Sequence, residues 1–397
     1  MSVIFNPLRI GGKTMPNRFF AQAMEGNDSE NGGQPSERTV NRYIGFARGK
    51  WGAVQIEATS ISEFALARIN GMIINRKNLD SFKRLVESFR KHNAASPLFL
   101  QITHAGERSG SFSEKVTLTP GVQKPDGSQN EGARYLSDGE IERIKDLFVE
   151  GALLAEEAGM DGIDFKMCHG YLGGEMLRPS NTRDDKWGGS FENRTRFLRE
   201  GMGEIKAGLR SQDFILGSRV SIYEGIRGGC GSAGPDEIVE DISEMLEVVR
   251  VMDGLGMNFV NVSAGIPALT SAITRPTKIS KNLFLHHLRY TKLVKDLVKN
   301  ENRNIKVIGS AYSTYKEEVL TVMEEMLSKD HVDACGFGRQ IFADPLTPKK
   351  IASGEKVNWC FLCSGCSKLM IAQVNDGCIM YNDYYKEVNK NYKAAVK

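Results

Sequence analysis

Three groups of residues in this 397-residue chain carry side chains that could do chemistry together. The first is Lys166-Met-Cys-His169-Gly-Tyr171, a cation, an imidazole and a phenol in close succession. Such a set can hold a carbonyl and hand a proton to the carbon beside it. Only residues two apart share a face of an extended strand, so the three need a bend in order to converge. The plainer reading is a partly buried histidine and tyrosine making structural hydrogen bonds. The second group is Gly309-Ser310 together with Gly336-Phe-Gly338-Arg339. Glycines let backbone N–H groups approach an anion, and an arginine grips it with two bonds, so the pattern suits a phosphate; alternatively the glycines only make turns. The third is a C-terminal run, Cys360, Cys363, Cys366 and Cys378. Four thiols at that spacing suit a [4Fe–4S] cluster or zinc, or hold no metal at all. Cys168, Cys230 and Cys335 stand alone, so the bunching reads as a metal or redox site in a reducing compartment, not as a disulfide framework.

Elements that could position these groups recur along the chain. Apolar or β-branched runs at Arg18–Met24, Gly52–Ala58, Pro97–Thr103, Asp161–Met167, Phe214–Ser221, Met257–Ser263, Ile305–Ser310 and Val332–Gly336 are each followed by helical patterns. Ser137-Asp-Gly-Glu140 is a capping box for a helix ending near Gly159, and Thr314-Tyr-Lys-Glu317 reads as another. From Asp236, the spacing of Ile238, Val239, Ile242, Leu246, Val249 and Met252 predicts a further helix. Eight strand–helix repeats predict an α/β fold, a (β/α)₈ barrel over residues 1–350. A doubly wound open sheet is the competitor, but no G-x-G-x-x-G follows any strand. Asn6–Thr14, with Gly11-Gly12 at its centre, is expected to be a hairpin closing the barrel bottom. Residues 351–397 are expected to form a cysteine-rich tail packed on the barrel. The active site of such a barrel lies where the strands end, and there the sequence places Gln101, His104, Arg108, the 166–171 group, Arg219 and the two glycine segments.

Bulk properties restrict the partners. Hydrophobic residues make up 41% and charged residues 25%, and the net charge of +3 is scattered, which leaves no nucleic-acid footprint. No apolar run reaches the length of a membrane span and the N-terminus lacks a signal-peptide pattern, so a cytoplasmic enzyme acting on a small molecule is expected. A homo-oligomer is compatible with these numbers.

Several motifs in fixed order resemble the old yellow enzyme/NADH:flavin oxidoreductase family. They are Pro16-Asn-Arg18, Gln101…His104-Ala-Gly, His169-Gly-Tyr-Leu172, Arg183 and Asp185 ahead of Trp187-Gly-Gly-Ser-Phe-Glu-Asn-Arg194-Thr-Arg-Phe197, and Gly338-Arg-Gln-Ile-Phe-Ala-Asp-Pro345. The resemblance spans about residues 3–350 and implies non-covalent FMN. It assigns backbone contacts with the flavin ring to Met24 and Ala58, the pyrimidine edge to Gln101, a cation near flavin N1 to Arg219, and the phosphate to Gly309, Ser310, Gly338 and Arg339. It makes Tyr171 the proton donor in an ene-reductase that reduces an activated C=C bond with NAD(P)H. Two departures stand out. Lys166-x-x-His169 replaces the family's His-x-x-His or His-x-x-Asn; the lysine either meets a substrate carboxylate or enolate, or pairs with Glu25 or another acid. Glu25 falls where relatives carry a threonine or cysteine that bonds the flavin. The cysteine tail resembles the 2,4-dienoyl-CoA reductase and trimethylamine dehydrogenase branch, with one residue fewer between the second and third cysteines. In that branch a cluster passes electrons from a further flavin domain; here a separate electron-transfer protein or NAD(P)H itself is expected to supply them. The alternatives are an FMN/iron–sulfur amine demethylase or dehydrogenase and a non-catalytic flavin-binding redox sensor.

Overall fold

A computed structural model of the chain describes residues 2–30, 32–118 and 133–395. Eight parallel strands close a barrel: β1 (Phe19–Ala21), β2 (Ala53–Ser60), β3 (Leu98–Thr103), β4 (Gly162–Phe165), β5 (Ile215–Ser221), β6 (Phe259–Ser263), β7 (Lys306–Gly309) and β8 (Ala334–Phe337). Each strand pairs with its sequence neighbour, and β8 returns to β1 through Gly336 opposite Phe20. Crossover helices follow the first seven: α1 (Glu37–Arg48), α2 (Leu79–Arg90), α3 (Asp138–Glu157), α4 (Phe191–Gly208), α5 (Ser243–Gly254), α6 (Phe284–Asn300) and α7 (Val319–Ser328). Each strand segment expected from the sequence overlaps an observed strand, with β2 running on to Ser60 and β8 to Phe337. Among the described residues no helix is long and apolar enough to cross a membrane.

The barrel interior is layered because strand side chains alternate with period two. The lower layer is apolar: Phe20, Ala53, Phe99, Ile215, Phe259, Ile308 and Ala334 form one buried cluster with Leu8, Ile10 and Met15. Phe99 and Phe259 pack at 5.4 Å between ring centroids, with Phe20 about equally far from both, at 6.1 and 6.0 Å. Leu8–Ile10 and Lys13–Met15 form the expected hairpin, and it plugs this end. Gly11 turns it in the left-handed region at φ +52°. Further along the strands the interior becomes polar: Gln22, Gln55, Gln101, Asp164, Arg219, Asn261 and Ser310 are all buried. Glycine makes room where the filling is tight. A Cβ at Gly217 would collide with the Phe259 ring, and one at Gly336 with the Gln22 amide.

The Ser137 capping box forms as read, with Glu140 accepting a 2.8 Å bond from the Ser137 N–H. Two expectations are corrected. Helix α5 starts at Ser243, not Asp236, because residues 231–241 double back: Ala233 N–H donates to the Val239 carbonyl and Ile238 and Val239 are exposed. The Thr314 capping box does not form. The Thr314 hydroxyl donates to the Ala311 carbonyl at 2.7 Å, short 3₁₀ turns intervene, and α7 begins at Val319.

Candidate active site

The polar layer forms the floor of a cavity of about 840 Å³ at the C-terminal ends of the strands, within the range of small-molecule sites. Strand β3 brings Gln101 to it, β5 brings Arg219, and the turn after β8 brings Gly338 and Arg339. Met24, Glu25 and Ala58 also line it, as do Lys166, His169 and Tyr171. The bend that these last three require is present. His169 sits at φ +65° and Gly170 at φ +72°, so the chain reverses before a short helix, Leu172–Leu177. Lys166 Nζ then stands 3.4 Å from the centroid of the Tyr171 ring.

The floor is one hydrogen-bonded network. The Asp164 carboxylate accepts from Gln55 Nε2 at 2.7 Å, from Gln101 Nε2 at 2.8 Å and from the Arg219 N–H at 2.7 Å. Holding the Gln101 amide nitrogen in this way leaves its carbonyl as the group it can offer a ligand. Burial raises the Asp164 pKa, while the bonds from Gln101 and the Arg219 N–H pull it back. Arg219 Nη2 donates to Ser263 Oγ at 3.1 Å and Ser310 Oγ at 3.3 Å, and Gln22 Nε2 donates to Ser310 Oγ at 2.7 Å. His169 Nε2 bonds Ser263 Oγ at 2.8 Å, so the imidazole is tied to the same floor. Burial, reinforced by Arg219 and Lys166, holds His169 well below the ordinary histidine range. It is therefore neutral, so Lys166 is the cation of the 166–171 group.

Four expectations change in detail. Glu25 pairs with Arg68 at 3.1 Å, not with Lys166. Ser310 turns its hydroxyl into the floor, and Gly309 is buried inside β7, so neither lines the cavity; Gly338 and Arg339 do, joined by Ala311 and Ser313. His104 lies outside the cavity lining, accepting the Gly106 N–H on Nδ1 at 3.1 Å, and burial lowers its pKa to about 4. Finally, among the described residues no three His, Cys, Asp or Glu side chains stand together to hold a metal ion. Cys360, Cys363, Cys366 and Cys378 as placed therefore do not close a ligand cage for a cluster or zinc, and Cys363 is exposed while Cys360 is buried.

What the tail does is roof the cavity. Ser364, Ser367, Lys368, Met370, Ile371 and Asp376 line it. Asp376 N–H donates to the Gly26 carbonyl at 2.7 Å, Gln373 binds backbone of Ala67 and Ile69, and Arg275 reaches Ser367 Oγ at 3.2 Å. Sequence reasoning missed Arg68, Arg275 and Asp376, which arrive on loops with no periodic signal. Seven cationic side chains (Arg68, Arg108, Lys166, Arg219, Arg275, Arg339 and Lys368) line the cavity against two acidic ones, Glu25 and Asp376.

The fit to FMN can be read from unsatisfied donors. Buried Arg219 Nε and Arg339 Nη1 have no hydrogen-bond partner among the described residues. Buried donors of this kind are normally satisfied, so each points to an acceptor supplied by a ligand. Two guanidinium donors and the Gln101 carbonyl, around one cavity, suit a molecule with an anionic phosphate and an amide-like ring edge.

Comparison with known proteins bears on the family and the fold. The chain is 27% identical over 375 residues to the NADH oxidase of Thermoanaerobacter brockii, covering 91% of this chain and 53% of that protein. It is 29% identical over 363 residues to an NADPH dehydrogenase of Clostridium acetobutylicum, covering 89% and 96%. It thus spans about half the length of the first relative and nearly all of the second. Among solved structures, a 2-naphthoyl-CoA reductase bound to 2-naphthoyl-CoA superposes with a TM-score of 0.80 at 20% identity, covering the whole of this chain and 58% of that one. At that identity the likeness establishes the fold. A family model matches residues 3–358, and the chain belongs to the NADH:flavin oxidoreductase / NADH oxidase family, whose cofactor is FMN.

Proposed function

We propose that this protein is an ene-reductase that uses NAD(P)H to reduce the carbon–carbon double bond of an α,β-unsaturated carbonyl or carboxylic compound. The observation that carries the reading is the convergence of Tyr171, Lys166 and His169 on the same cavity as Gln101 and Arg219. FMN when bound supplies two-electron chemistry between the nicotinamide and the alkene. Gln101, fixed by Asp164, accepts from the pyrimidine edge of the ring, and Arg219 presents its charge to that same ring. The carbonyl of the substrate lies against Lys166 and His169, which draw electron density away from the double bond. Tyr171 is a buried phenol at the same mouth, and it gives its proton to the α-carbon.

The charge of the cavity supports this reading over amine oxidation. With Arg219 and Arg339 facing the cofactor, Arg68 paired with Glu25 and Arg108 with Glu107, the lining still keeps Lys166, Arg275 and Lys368 against Asp376, which disfavours a protonated amine and favours an oxygen-rich, electron-attracting substrate.

The test is Tyr171→Phe, with the two half-reactions followed separately under anaerobic stopped flow. Reoxidation of the reduced enzyme by 2-cyclohexen-1-one should slow by roughly 10²–10⁴-fold, the usual worth of a positioned acid. Flavin bleaching by NADH or NADPH should stay within about twofold of the parent. Unchanged reoxidation would remove Tyr171 from the reaction.

A further inference from the structure

Lys166 is 5% exposed and lines the cavity, its ammonium outside the side-chain hydrogen bonds and ion pairs of the described residues. What it touches is the face of Tyr171, at 3.4 Å. The nearby carboxylate that could have neutralised it, Glu25, is bound to Arg68 at 3.1 Å. The other arginines of the cavity are engaged by protein oxygens: Arg108 by Glu107, Arg275 by Ser367 and the Pro267 carbonyl, Arg339 by the Pro276 carbonyl. A cation that lines a cavity with no protein carboxylate on it is free to take a ligand's anion, and the quadrupole of one aromatic ring is a weaker partner than a carboxylate. A neutral carbonyl needs only a hydrogen-bond donor, whereas this site holds a full positive charge in reserve.

Resting on the reaction proposed above, we infer that Lys166 is an anion subsite and that the natural substrate is an ionised α,β-unsaturated acid. Its carboxylate lies on the Lys166 ammonium. The carboxyl carbon is bonded to the α-carbon, so the cation that grips the acid and the phenol that protonates its neighbour must be adjacent, as Lys166 and Tyr171 are. Electrons and protons balance without a further reagent. NAD(P)H supplies two electrons and one proton, Tyr171 supplies the second proton, and water restores the phenol.

The experiment is a calorimetric titration of the oxidised, FMN-loaded protein, without nucleotide, using trans-2-hexenoate and its isosteric amide, trans-2-hexenamide. The acid should bind the parent about tenfold tighter or better, since each tenfold is a modest charge-pairing advantage. Lys166→Met should erase the preference by weakening the acid alone, and Lys166→Arg should keep most of it. Equal binding of acid and amide by the parent would overturn the inference, as would a preference that survives Lys166→Met. The parent titration decides the point even where a variant fails to fold. Failure here is distinguishable from failure of the ene-reductase reading: no acid preference in a parent protein that still reduces 2-cyclohexen-1-one removes only the subsite. An acid preference in a protein that reduces neither compound removes the reaction instead.

Discussion

Asp164→Asn probes the floor at its most connected point. The carboxylate takes two donors on one oxygen, from Gln55 and Gln101, and one on the other, from the Arg219 N–H, all at 2.7–2.8 Å. Asparagine must present an NH₂ at one of these positions, where it faces a donor. Turning it toward the Arg219 N–H sacrifices one bond and changes the remaining two from charge-assisted to neutral. With charged bonds worth about 1.5–3 kcal/mol and neutral ones about 0.5–1.5, the loss comes to roughly 5 kcal/mol. Gln101 can relieve part of it by turning its amide over, but it then shows the cavity an NH₂ where an acceptor stood. With Gln101 turned over, or held only by a weaker neutral bond, the cofactor's partner is lost or loosened, and FMN affinity should fall about 10–100-fold, equivalent to ~1.4–2.8 kcal/mol. The assay is titration of apoprotein with FMN, followed by quenching of flavin fluorescence, with circular dichroism to verify the fold. A Kd within about twofold of the parent would show that Asp164 does not set the orientation of Gln101.

Further outcomes follow from the same geometry. A Cβ at Gly336 collides with the Gln22 amide and the Gly309 carbonyl, so Gly336→Ala should lower stability by about 1–3 kcal/mol, read from the urea midpoint; an unshifted midpoint would mean the floor has slack there. Glu25→Gln leaves Arg68 without its counter-ion and should raise the two-electron potential of the bound flavin by about 30 mV, measured by dye equilibration; a lower potential would contradict the sign. Burial lowers the His104 pKa to about 4, below its unfolded value of about 6.5, so the unfolded chain takes the proton first as pH falls. The stability held by the neutral form is complete above pH ~6.5 and is lost toward pH 4, to an extent of about 3 kcal/mol at most. His104→Asn should flatten the decline of the urea midpoint between pH ~7 and ~4.5; an identical decline in parent and variant would rule the imidazole out as its source.

The barrel was legible because buried parallel strands are continuous apolar runs, and all eight stood out between helical patterns. The failures came where local chemistry had more than one outlet. Ile238 and Val239 keep helical spacing but lie exposed in a loop that bonds to itself, and the Thr314 hydroxyl prefers a nearer carbonyl to the helix it was expected to cap. At the site, residues carried by strands or by the turns that end them were found: Gln101, Arg219, Lys166, His169, Tyr171 and Arg339. Ser310 was named as a phosphate contact, and its hydroxyl turns into the floor, a direction that depends on register at the strand end. Arg68, Arg275 and the roof residues belong to irregular segments or to the tail, whose approach to the cavity is a tertiary fact with no trace in local spacing. The competing fates of Lys166 could be separated only once Glu25 was seen to be held by Arg68.

The layered interior has a consequence for assembly. Gln22, Gln55, Gln101, Asp164, Arg219, Asn261 and Ser310 come from or border seven different strands, above the apolar layer. A slip of one residue in any strand exchanges its inward and outward faces. Such a slip would bury a neighbour meant for the helices and remove one member of the network, stranding the partners that remain. Correct pairing and a competent floor are therefore the same event. A barrel closed out of register would lack the network that holds the cofactor's partners in place.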